Sequence, residues 1–143
     1  MFKRDKELFL FDVLIAILKI EEVSKKFLNS QDLLYSFTDW DSIIREFEII
    51  GEASKHLIKS NTLSKDYQEI VDFRNIIIHE YFGIDAEEVW DIIHDDLMYF
   101  KDVIVNLIKN IETQSKKLLV SSYKQDNKHL RFITDYLDKE LKI

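Results

Sequence analysis

A chain of 143 residues that holds no proline and only two glycines, Gly51 and Gly83, contains almost nothing that breaks a helix. Proline removes an amide donor, and an interior glycine costs about 1 kcal/mol against alanine. With 46% hydrophobic and 33% charged residues, the pattern predicts a packed, all-α protein. The length suits one domain able to bury its own core without staples. The absence of cysteine excludes a disulfide framework and a thiolate metal site.

Apolar periodicity places the helices. Leu10, Val13, Leu14, Ile17 and Leu18 recur at helical spacing and predict a first helix over 6–28. Its apolar run follows Lys3, Arg4 and Lys6 and superficially looks like a leader. Asp12 interrupts it, no small-residue cleavage site follows, and it is too short to span a bilayer. It reads as the core helix of a cytoplasmic protein with no membrane partner. Residues 29–37 read as a connection. Thr38 is the expected N-cap of a second helix, which runs to about Ile58 and buries Ile43, Phe47, Ile50 and Leu57. Gly51, Ala53 and Ser54 within it suggest close helix packing.

Ser64 is the expected cap of a third helix that carries Ile70, Phe73 and Ile77 and stops at Gly83 as its C′ residue. Asp85, with Glu88 three residues on, predicts a capping box. The fourth helix then carries one long stripe from Val89 to Ile108. A last short helix is marked by Leu130, Ile133, Leu137 and Leu141.

The third helix holds the one unusual mixture. In the stretch DFRNIIIHEYFGID (residues 72–85), Arg74, Asn75, His79 and Tyr81 are interleaved with Phe73 and three isoleucines. Arg, Asn and His are costly to bury unless partnered. Asn75 and His79 stack on one helical stripe, whereas Arg74 lies roughly 140° from His79. A second copy of the helix, facing the first across a two-fold axis, would bring an Arg and a His to one point. His gives and takes protons near neutral pH, and Arg offers a permanent charge and a fork that suits phosphate. Asn75 suits the orientation of a hydroxyl or a water. The set fits metal-independent RNA cleavage. From spacing alone, a buried network of Arg74 and His79 with Glu48 or Glu52 is the favoured reading.

The stretch resembles the HEPN superfamily, and within it the HepT-like branch, whose motif is Arg, four residues, His, one residue, Tyr. A second block, IIREFEIIGEASKHL (residues 43–57), is similar to the family's other hallmark, and the likeness runs from about Leu8 to Ile111. It implies an antiparallel bundle of four main helices over 1–111, with 112–143 as a C-terminal helical extension packed on or beside it. It also implies a homodimeric endoribonuclease toxin with Arg74, Asn75 and His79 as catalytic residues. Tyr81 matches the tyrosine that takes AMP from a partner antitoxin, a minimal MNT-type nucleotidyltransferase called MntA. A phosphodiester placed there would occupy the ground RNA phosphate needs. The alternative reading is a non-catalytic HEPN subunit that presents substrate or nucleotide to such a partner.

Arg45, Glu48 and Glu52 share a face of the second helix and are candidates to orient Arg74 or His79, against ordinary surface pairing. His56, His94 and His129 carry less. Asp91/His94 and Asp126/His129 have a metal-pair spacing but lack the symmetric glutamates of a di-metal bundle, so no metal or cofactor is expected. The net charge of −7 disfavours a general nucleic-acid binder, because phosphate contacts need Lys and Arg. Positive charge is local instead. Between Lys116 and Arg131, five basic residues face Asp126 alone.

Overall fold

The N-terminal apolar run is the axis on which the other helices pack. The computed structural model describes residues 6–79 and 84–141, with side chains for all of these except 74–79. In α1 (Lys6–Ser24), Leu10, Phe11, Val13, Leu14, Ile15, Ala16, Ile17, Leu18 and Ile20 are all buried. The helices α3 (Phe37–Lys59), α6 (Leu97–Lys109) and α8 (Arg131–Glu140) surround it. A helix covered on every side is apolar on every side, and that burial is why the run looked like a leader. None of the described helices is long and apolar enough to cross a membrane.

The first helix ends at Ser24 rather than Leu28. Lys25 and Phe27 amides close a terminal turn onto Glu21 and Ser24 carbonyls, leaving Leu28 exposed. The connection over 29–37 contains a short helix, α2 (Ser30–Tyr35), started by Asn29 accepting from the Asp32 amide at 2.9 Å. Asn at an N-cap satisfies an orphan donor there. The helix α3 (Phe37–Lys59) begins at Ser36, whose carbonyl accepts from Trp40, so Thr38 lies inside it. The Ser36 hydroxyl donates to Asp39, which Lys26 also holds at 2.9 Å. Those two donors, Lys26 first, pull the Asp39 carboxyl below its ordinary range. Gly51, Ala53 and Ser54 are buried on α3, and α1 is its principal neighbour. The end of α3 is a Schellman closure: the Thr62 amide returns to Leu57 and the Asn61 amide to Ile58. Asn61 takes the left-handed conformation this requires, with φ 61°.

Ser64 caps a 3₁₀ turn, Lys65–Tyr67, which leads into α4 (Gln68–His79). Gly83 and the expected stop lie outside the described residues. Asp85 caps α5 (Ala86–Asp91) by accepting from the Glu87 amide at 2.9 Å. The expected capping box is not closed: Glu88 is exposed, and no bond returns from it among the described residues. Glu87 instead accepts from buried Ser30, tying α5 to α2.

The single fourth helix is interrupted by a π turn over Ile92–Asp96 before α6 (Leu97–Lys109). The His94 ring tilts against Trp90 at 4.2 Å and donates from Nδ1 to the Trp90 carbonyl at 2.8 Å. One wide turn re-phases the helix, so that Val89 and Ile93 before and within it, and Leu97, Phe100 and Ile104 after it, all reach the core. The bundle closes with two C-terminal helices rather than one. Glu112 caps α7 (Thr113–Asp126) through the Gln114 and Ser115 amides, and α8 (Arg131–Glu140) follows. Ile133, Leu137 and Leu141 belong to the same core as α1. Tyr123 stacks on Phe11, and its hydroxyl lies 2.8 Å from Asp12 and 3.1 Å from the Leu8 carbonyl. All regular structure among the described residues is helical.

Candidate active site on α4

The helix α4 is a docked element whose far end carries the polar motif. It packs mainly on α3. Val71 is buried, and Phe73 meets Phe47 of α3 edge to face at 5.2 Å. Tyr67, just before α4, tilts against Phe100 of α6 at 5.6 Å. These contacts fix the helix ahead of Arg74 and therefore the phase on which Arg74, Asn75 and His79 are displayed. The backbone is helical through His79. Asn75 and His79 therefore share a stripe one turn apart, and Arg74 leaves the axis roughly 140° from His79, about 7.5 Å along it. His79 is the last described residue of the helix. Tyr81 lies outside the described residues.

Of the supporting residues expected on α3, Arg45 is exposed, while Glu48 and Glu52 are half-buried. Glu52 lies 3.5 Å from His56, whose ring stacks on Phe9 of α1 at 4.7 Å. One acidic residue of α3 escaped the sequence reading. Glu46 is buried, and desolvation pushes its carboxyl up, partly offset by Lys19 and Arg45. The available signal was a charge between two core residues, Ile43 and Ile50, at helical spacing.

A second feature beside the motif also needed the fold to appear. The wall of α4 that precedes Arg74 and the start of α5 enclose a cleft of about 580 Å³. Glu69 and Asp72 line it from one side; Asp85, Glu87, Glu88, Asp91 and Asp96 line it from the other, over Phe73 and Ile92. The acidic first half of the fourth helix read as a solvated face. In three dimensions it is one wall of this cleft, directly next to the motif. Among the described residues no three His or acidic side chains converge on one ion position. His94 is committed to Trp90, and His129 is exposed.

The described residues thus form an all-helical bundle in which one docked helix, α4, carries Arg74, four further residues and His79. A family model described as ribonuclease HepT-like matches residues 13–107. The chain belongs to that family. A protein of Methanocaldococcus jannaschii named as a putative RNase is 35% identical over 109 residues, covering 71% of this chain and 94% of its own. The "Probable ribonuclease HepT" of Thermococcus cleftensis is 32% identical over 110 residues, covering 75% of this chain and 99% of its own. A second M. jannaschii protein, also named as a putative RNase, is 29% identical over 125 residues, 82% of this chain and 98% of its own. No solved structure matches the chain.

Proposed function

We propose that this chain is a metal-independent endoribonuclease that acts as the toxin of a toxin–antitoxin pair in the cytoplasm. The observation that carries the reading is the family match, which spans α4 and includes Arg74, Asn75, His79 and Tyr81. His79 takes the proton of a ribose 2′-OH as that oxygen attacks the adjacent phosphorus. Arg74 stabilises the charge that builds on the phosphorane oxygens, and Asn75 orients the hydroxyl. The 5′-oxygen leaves with a proton from the His79 of a two-fold-related copy, which the divergence of Arg74 and His79 on one helix calls for. Tyr81, two residues past His79, is the position where an MNT-type antitoxin adds AMP. The added phosphodiester competes for the Arg74 guanidinium.

The acidic cleft favours one rival. Seven acidic residues beside the motif repel a polyanion, which suits a subunit that docks a basic partner and cuts nothing. Substitution separates the two. Arg74→Ala and His79→Ala should each lower the rate of RNA cleavage by about 100-fold or more, with helical content unchanged. Wild-type protein that leaves RNA intact establishes the rival. Tyr81→Phe should stay active and take no AMP when co-expressed with the antitoxin, as read by intact mass.

A further inference from the structure

The helices α7 and α8 lie C-terminal to the residues the family model matches, and they meet along a groove of about 850 Å³. Lys117, Lys124 and Lys128 line it, and Ser121, Gln125 and Thr134 add polar groups over a floor of Val120, Leu137 and Leu141. Charge is distributed unevenly along the chain. Residues 112–143 hold seven Lys or Arg against five Asp or Glu, a net +2. Residues 1–111 hold thirteen against twenty-two, a net −9.

We infer that the α7–α8 groove is a second RNA-binding site, one that grips the phosphate backbone of the strand α4 cuts. The inference rests on the ribonuclease reading for the identity of the polyanion. Lys117 and Lys124 stand two turns apart on α7, about 10 Å along its axis, and Lys128 follows just past the helix end. Phosphates recur every 3.4 Å or so along one strand of a duplex, so a row of that length spans several. Among the described residues no aromatic ring lines the groove, and bases are held in such sites by stacking. The contacts are therefore to the backbone and carry no sequence preference. Among the described residues Asp138 is the one carboxylate in the lining, and it is paired with Lys124. That pair is exposed and weak enough for a phosphate to displace.

The groove is also built on other elements than the motif. The helix α4 rests on α3, whereas α8 rests on α1. Binding energy gained there is the same before and during cleavage, so it acts on KM and leaves kcat unchanged.

The test is binding of a fluorescent single-stranded RNA to His79→Ala protein, alone and combined with Lys117→Ala, Lys124→Ala and Lys128→Ala. The triple change should weaken binding about tenfold at low salt. It should also reduce the slope of log affinity against log salt by about 2, at roughly 0.7 per phosphate contact. Asp138→Asn should tighten binding about twofold. With His79 present, the triple variant should raise KM by the same factor at constant kcat. Unchanged affinity and salt slope, or a fall in kcat alone, overturns the groove, as does a lysine effect seen on anionic vesicles and absent on RNA. The ribonuclease reading fails separately: RNA held through the three lysines and never cleaved keeps the groove and removes the catalyst.

Discussion

The two clefts of this molecule are opposites in charge and origin. The one beside α4 is walled by seven acidic residues inside the family-matched region, and the one between α7 and α8 is lined by three lysines beyond it. Both walls of the first come from helices docked on the bundle core. The second is a helical hairpin attached through Ile133, Leu137 and Leu141 and through the Tyr123 contacts to α1. The contrast shows how a chain of net charge −7 can work on a polyanion. In the proposed arrangement, attraction is concentrated at the groove that grips the strand, and repulsion lies next to the motif. Long-range fields of this kind alter encounter rates and residence more than chemistry.

The attachment of the basic hairpin is the larger of two effects that probe this contrast. Tyr136 of α8 packs beside Lys101, whose ammonium lies 5.4 Å from the ring centre and pairs with Glu21 at 2.9 Å. Burial first, then Glu140, Glu21 and Asp102, pushes the Tyr136 phenol up to about 12. Its folded value therefore lies above its unfolded value near 10. The stability it contributes is complete below pH 10 and is lost as pH rises from about 10 to 12. Across that window Tyr136→Phe should retain on the order of 1–2 kcal/mol that the wild type loses. Denaturant melts at pH 9 and pH 11.5 measure this. An equal alkaline loss in both proteins would detach Tyr136 from the anchoring of the hairpin.

A smaller effect is expected at the acidic cleft. Asp72→Asn combined with Asp91→Asn removes one charge from each wall, both at exposed positions. KM for RNA should fall about threefold at low salt, and the difference should vanish at 1 M salt, where screening extends only about 3 Å. If the double change raises KM, the carboxylates assist RNA binding and the contrast between the clefts collapses.

Much of this arrangement was readable before the structure. The apolar run of α1, the stripes of α3 and α6 and the cap at Asp85 are local signals, and they appear where the sequence pattern places them. The placement of Arg74, Asn75 and His79 at the end of one helix followed from the same periodicity. What could not be read depends on contacts between elements. The helix α7 was missed because Val120 is its one buried residue and Leu118 faces solvent, so its apolar stripe is thin. The π turn depends on Trp90 and His94 finding each other within the packed bundle. The acidic cleft needs Glu69 and Asp72 brought opposite Asp85 and Asp91, and the basic groove needs α8 folded back on α7. Neither juxtaposition has a signature in a single run of sequence.

In the proposed mechanism Arg74 and His79 cut RNA through the neighbouring 2′-hydroxyl with no metal. The most direct measurement incubates wild-type protein in EDTA with an RNA oligonucleotide and with the same oligonucleotide carrying one 2′-deoxy sugar at the mapped cut. The expected result is cleavage in EDTA, 2′,3′-cyclic phosphate ends by mass, and no cut at the deoxy position. Cleavage that disappears with EDTA, or that continues past the deoxy sugar leaving 3′-hydroxyl ends, would contradict it.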